Sequence, residues 1–390
     1  MISVAQALTH LFDLVTPLGV EHVALRQAAG RVLAQDVMAA RTQPPFAASA
    51  MDGYALRRAE VEPDAMFQVI GEAAAGHAFH GTVGAGQCVR IFTGAPLPDG
   101  ADHVVIQEDV TRRGALITLG RSLETKSHIR PAGGDFKAGD VIAAPRLLVS
   151  TDIALLAAMN IAEVPVTRRP VVAIIATGDE LVAPGEAPGP DQIIASNSYG
   201  LAAMLEAAGA EARLLPIARD TRSALTCVFD LTAGADLIVT IGGASVGDHD
   251  LVAGVAADLG MSQSFYRVAM RPGKPLMAGT LRGTPMVGLP GNPVSALVCG
   301  VVFVQPVVRA MLGLERGPAA RHTAALATPL AANGPREHYM RATLTAEGLR
   351  AFDRQDSSLL TVLAGAQALL VRPPNDPARD AGETVDYLPL

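Results

Sequence analysis

The sequence predicts a multidomain α/β protein organised around a three-layer α/β domain at 169–315. Three observations carry this. From residue 170, short β-branched apolar runs alternate with stretches of helical spacing, the pattern of a parallel sheet covered on both faces. On either side of that region the β runs are short and punctuated by Gly and Pro. The 390 residues suffice for several domains with cores of their own.

In chain order, residues 1 to about 40 read as helix, turn, helix, with Val4, Leu8, Leu11 and Leu14 at helical spacing and Gly19 and Gly30 as breaks. Pro44 and Pro45 make 41–51 an extended linker. Strand-like runs at 67–70, 88–92, 103–106 and 115–119 form a β-rich unit, with exposed turns at 94–100 and 130–140. A helix at 147–160 returns to pack on the N-terminal helices. The divisions are a helical domain at 1–46 and 141–168, an inserted β-rich domain at 47–140, the α/β domain, and a β-barrel or sandwich at 316–390.

Within the α/β domain, strands are expected at 171–176, 212–217, 235–241, 265–270, 276–280 and 285–289. Helices are expected at 198–208 with Asn197 as cap, at 222–232, after Asp250, and over 294–312.

Composition narrows the function. Apolar residues make up 49% but aromatics only 4%, so the cores rest on Ala, Val, Leu and Ile. A net charge of −7 without a long basic run argues against a nucleic-acid partner. No window offers about 18 uncharged apolar residues, and the start lacks a basic-then-apolar signal, which reads as a soluble cytoplasmic protein without membrane contact. The three cysteines are far apart, which argues against a disulfide framework or a zinc-thiolate site. His77 and His80, the one close histidine pair, read as surface residues of a Gly/Ala-rich loop.

The chemistry gathers where strands end. T-I-G-G-A-S-V-G-D-H-D at 240–250 follows an apolar strand and precedes a helix. Gly242, Gly243 and Gly247 free its backbone, and Ser245 with Asp248 has the spacing of a cap and its acidic partner. Such a turn suits an anion, and Asp248 and Asp250 beside it imply a divalent cation; a plain capped β–α connection has the same form. T-G-D-E-L at 177–181, Asp220, R-P-G-K-P at 271–275 and P-G-N-P-V-S at 290–295 follow other strands, so they share one edge of the sheet. Asn292 before Pro293 reads as a helix start with free N–H groups. Positive Arg267, Arg271 and Lys274 face negative Glu180, Asp220, Asp248 and Asp250, as a phosphate-rich ligand with a metal ion requires.

These motifs, with S-A-M-D-G-Y-A at 49–55, I-F-T-G-A at 91–95 and R-P-A-G-G-D at 130–135, resemble the molybdopterin molybdenumtransferases, the MoeA family that includes the gephyrin E domain. The resemblance covers nearly the whole chain. It implies a helical elongated domain, an inserted β-rich domain, a three-layer α/β molybdopterin-binding domain and a C-terminal β-barrel. It implies a homodimer that inserts molybdenum from molybdate into adenylylated molybdopterin with Mg2+, yielding molybdenum cofactor and AMP. It also implies a transient contact with other molybdenum-cofactor proteins.

By motif match, the family's acidic site residues fall on Asp52, Asp135, Glu180, Asp220 and Asp250, and its threonine on Thr93. Glu180, Asp220 and Asp250 are the implied metal ligands. Arg267 and Arg271 stand where the family often has Lys, and with Lys274 they attract molybdate. The implied substrate loops carry Thr177, Gly178, Gly242, Gly243, Ser245 and Gly247, with Pro290, Gly291, Asn292, Pro293 and Ser295 in the last turn. Asp248 sits where some members carry Glu. The rival readings are the sister adenylyltransferase activity and a scaffold of the gephyrin kind.

Overall fold

The computed structural model describes residues 1–243 and 251–390. Its central sheet has the strand order Glu211–Leu214, Val171–Ala176, Leu237–Ile241, Thr284–Leu289, Met277–Leu281, Ser262–Tyr266. The first four run parallel and the last two antiparallel to their neighbours. Successive side chains face opposite ways. Ile174, Val239 and Val287 pack with the Asn197–Ala207 and Pro293–Cys299 helices. Ile175, Ile238 and Met286 pack with Arg222–Asp230 and Leu251–Asp258 on the other face. Each fully buried side chain of this size stabilises the fold by about 1.5–3 kcal/mol, so three layers follow from strands apolar on both faces.

The expected strand at 265–270 breaks in two. Arg267 adopts φ 111°, and beyond it Met270–Arg271 leaves the central sheet to pair with Glu337 and His338. The last helix runs unbroken over Pro293–Met311, with a π turn at Gly300–Val304 just before Pro306. Pro306 has no N–H for the carbonyl of residue 302, and the wider turn absorbs that loss. By length and mean hydropathy this helix could cross a membrane, which corrects the expectation that no such window exists: Ser295, Gln305 and Pro306 dilute it too little. Its window is 83% buried within the protein, as befits a core helix.

The N-terminal reading needs correction. Val4–Asp13 is the one α-helix there, followed by a single 3-10 turn at Leu25–Gln27 and started by a Ser3–Gln6 capping box. Its Val4, Leu8 and Leu11 join the core of the α/β domain. The expected second helix is instead a strand, Val20–Ala24, paired antiparallel with Glu163–Thr167. Together with Val32–Leu33 and Arg146–Leu147 they make a small sheet. Ser150–Ala158 packs on this unit through Leu156, beside Leu33 and Val164. The unit expected to be helical at 1–46 and 141–168 thus combines the helices Val4–Asp13 and Ser150–Ala158 with short antiparallel strands.

The inserted region forms a sheet ordered His103–Ile106, Gly53–Leu56, Gln87–Ile91, Met66–Ala73, Leu116–Leu119, Val110–Arg113. The Pro44-Pro45 linker is pinned to it where Ala48–Ser49 pairs with Ile129–Arg130. At the C-terminus, Glu337–Thr345, Ala368–Arg372, Thr384–Pro389 and His322–Ala325 follow one another in a sheet, with Gly348–Ala351 on the other side of Glu337–Thr345.

Candidate active site

Three strand ends stand level: Ala176 pairs with Ile241, and Ile241 with Leu289. The turns that begin at Thr177, Gly242 and Pro290 therefore emerge side by side. The Thr177 N–H donates to the Ile241 carbonyl at 3.0 Å, and the Gly242 N–H to that of Leu289 at 3.1 Å. With Gly178, Glu180, Asp220, Gly243, Gly291, Asn292 and Pro293 they line a cleft of about 700 Å³. Ten of the sequence-predicted residues thus come together.

Two glycines are required by geometry. Gly178 has φ +147°, and a Cβ there would lie 2.3 Å from Glu180 Oε2, so the carboxylate folds back against bare backbone. Gly242 has φ +94°, and a Cβ there would lie 2.8 Å from the Thr177 carbonyl oxygen.

Carboxylates crowd the same turn. The Asp220 N–H donates to Asp179 Oδ1 at 3.0 Å, and Arg219 holds the carbonyls of Asp179 and Leu181 at 2.8 and 3.0 Å. Burial pushes the Asp220 carboxyl up, and the charges of Asp179 and Glu180 push it further. A bound cation would relieve that repulsion, so the donor set fits a hard, oxygen-preferring ion such as Mg2+. Among the described residues no three ligating side chains already converge. Asp250, the third expected ligand, lies outside them, as do Ser245, Gly247 and Asp248.

Two caps differ from expectation. Asn197 lies within its helix, and its Nδ2 donates across the cleft to the Gly291 carbonyl at 2.7 Å. Asn292 precedes Pro293 as expected, but its side chain donates to Ser357 Oγ at 3.2 Å and makes no capping bond. The Val294 N–H, expected to be free, donates to the Ser357 carbonyl, because the C-terminal segment reaches over this helix start. Ser295 is buried one turn further in.

The basic residues stand apart. Arg267, Arg271 and Lys274 are exposed, and none lines the cleft, although Pro275 does. Arg341 went unnoticed in the sequence. It is fully buried, and its Nη2 donates to the carbonyls of Arg354 and Asp356, in the loop whose Ser358 lines the cleft. Its Nε and Nη1 are buried without a hydrogen-bond partner among the described residues. An arginine within the mostly apolar run Y-M-R-A-T-L was the one available signal.

Asp52, Thr93 and Asp135 lie on turns of the inserted region, outside its strands, and no described residue of 47–140 lines the cleft. Asp52 Oδ1 accepts from the Thr93 N–H at 2.8 Å and from its hydroxyl at 2.7 Å, and these two bonds hold the Asp52 carboxyl below the ordinary range. Asp135 is exposed, with its N–H bonded to the Gln43 carbonyl at 3.0 Å.

A cleft of carboxylates and glycine turns at the carboxyl ends of parallel strands defines a class, the α/β proteins that bind ligands at a sheet edge. The comparisons with known proteins are narrower. The chain matches the MoeA N-terminal region (domains I and II) over residues 2–160, a probable molybdopterin binding domain over 173–310, and the MoeA C-terminal region (domain IV) over 323–390. It is 37% identical to a molybdopterin molybdenumtransferase of Nostoc sp., over all of this chain and 94% of that protein. It is 35% identical to one of Haemophilus influenzae, over 84% and 82% of the two chains. The crystal structure of a molybdopterin biosynthesis MoeA protein from Pyrococcus horikoshii superposes with a TM-score of 0.86 at 26% identity, over the whole of both chains. The chain belongs to the molybdopterin molybdenumtransferase family.

Proposed function

We propose that this protein inserts molybdenum into adenylylated molybdopterin, taking molybdate and releasing AMP and molybdenum cofactor. The observation that carries the reading is the cleft itself, in which Glu180 and Asp220 face the glycine turns of three neighbouring strands. The turns at Thr177–Gly178, Gly242–Gly243 and Pro290–Gly291 present backbone to the phosphates, and Asn197 ties two walls together. Glu180 and Asp220, with Asp250, would hold Mg2+, which when bound neutralises phosphate charge and polarises the bond to be cleaved. Among the described residues no cysteine, histidine or lysine lines the cleft, and the chemistry proposed for it is positioning and electrostatics. The positive charges of Arg267, Arg271 and Lys274 supply attraction for a tetrahedral oxyanion, and the buried Arg341 fixes the loop that brings Ser358 to the cleft.

Asp52, Thr93 and Asp135 belong to the same site if it is shared by two copies of the chain. Their absence from the lining of their own chain's cleft supports a homodimer in which each inserted region faces its partner's cleft. The C-terminal sheet is read as the expected barrel, since a bridge from Leu326 to Leu349 links its two sides. A cytoplasmic location and brief contact with other molybdenum-cofactor proteins complete the proposal. The test is AMP release from adenylylated molybdopterin with molybdate and Mg2+. Release that needs molybdate supports the reading. A protein that forms the adenylate from ATP instead is the sister enzyme, and one that does neither is a scaffold.

A further inference from the structure

The inserted sheet holds a cation that no part of the proposed reaction uses. Arg90 lies opposite Tyr54 across the Gly53–Leu56 and Gln87–Ile91 pair. Its guanidinium carbon stands 5.0 Å from the Tyr54 ring centre and 4.8 Å from that of Phe92, just past the end of its own strand. Both distances lie within the range of cation–π attraction. Its Nη1 donates to the Gly53 carbonyl at 3.1 Å and its Nη2 to Gln107 Oε1 at 2.6 Å. No acidic side chain among the described residues is paired with it, so its charge is not spent on a salt bridge.

These bonds converge on Asp52 from both sides. Gly53 follows Asp52 in the chain. The Gln107 N–H donates to the Asp52 carbonyl at 3.0 Å. Phe92, on which Arg90 stacks, precedes Thr93, the residue that fixes Asp52 Oδ1. Arg90 thus grips the residue after Asp52, the residue that binds its backbone, and the neighbour of the residue that binds its side chain.

We propose that Arg90 is a positioning residue for Asp52: it locks three strand ends so that the Asp52 carboxylate presents its free oxygen in one orientation. The proposal rests on the reading that Asp52 serves the reaction. The Arg90 charge also favours the ionised carboxylate, in the same direction as the two Thr93 bonds.

The experiment uses the full-length protein and the variants R90Q, R90K, D52N and D52N/R90Q. The Asp52 carboxyl is titrated by carbon NMR, and AMP release is measured beside it. In R90Q the Asp52 titration should move to higher pH and kcat should fall about ten- to a hundredfold, as a misplaced group implies. R90K keeps the charge but not the fork, so it should restore the titration more than the rate. The double variant should be no slower than D52N, because Arg90 acts through Asp52. An unchanged Asp52 titration in R90Q overturns the proposal, as does a further loss of rate on adding R90Q to D52N. If D52N alone keeps full activity, the role given to Asp52 in the reaction fails, and the titration still reads the hold of Arg90 on it.

Discussion

The side-chain amide of Asn197 donates to the carbonyl of Gly291 at 2.7 Å, joining the helix on one side of the cleft to the turn on the other. The bond fixes the spacing between two walls that approach the ligand from different strands. Asn197→Ala should cost about 1 kcal/mol of stability, the ordinary worth of one hydrogen bond. The larger effect should be a several-fold rise in KM for the adenylylated substrate, read from steady-state AMP release. An unchanged KM would show that the wall spacing does not matter.

Gly178→Ala tests the acidic turn. A residue with a side chain at φ +147° is strained by about 1–3 kcal/mol, and the new methyl would displace the Glu180 carboxylate. Activity should fall by about a hundredfold, more than the drop in melting temperature explains. A variant that loses stability but keeps its turnover would place Glu180 outside the chemistry.

Arg341→Met removes the buried guanidinium while keeping an unbranched apolar stem. The KM for molybdate should rise about tenfold, since the loop that carries Ser358 loses the two bonds that hold it. Arg341→Lys should rescue this poorly, because a point charge does not replace the fork. If both variants bind molybdate as the wild type does, the hold of Arg341 on that loop does not matter for the oxyanion.

Much of this site could be read in the chain because β-branched runs end in Gly or Pro turns, so the level of Thr177, Gly242 and Pro290 follows from pattern alone. Arg341 could not be found this way: a sequence does not show which arginine is buried with donors to spare. V-E-H-V-A at 20–24 misled for a related reason. Five residues fit either period, and pairing with Glu163–Thr167, about 140 residues on, decides for strand. Asn197 and Asn292 looked like caps because local rules favour that use, but partners from distant segments took their side chains.

Stability should depend on pH through Asp236. Burial alone would raise its carboxyl, but Arg168, bonded to both oxygens at 2.7 and 2.8 Å, and the Val171 N–H outweigh this and hold it below the ordinary value. Unfolded, it titrates near pH 3.9 or so. The stabilisation is therefore fully present above that value and is lost as the pH falls through the lower folded one. Asp236→Asn should destabilise at pH 7 by about 1.5–3 kcal/mol and narrow the gap to wild type towards pH 3. A constant gap in chemical denaturation across that span would refute the assignment.

The most direct measurement mixes two inactive variants. Asp52→Ala spoils the face on the inserted region, and Asp220→Ala spoils the cleft. In a twofold dimer with shared sites, a mixed pair has one site with both defects and one with neither. About half the dimers are mixed after free exchange, so AMP release should recover to roughly a quarter of wild type. No recovery, with exchange confirmed by a label on each variant, would contradict a site built from two chains.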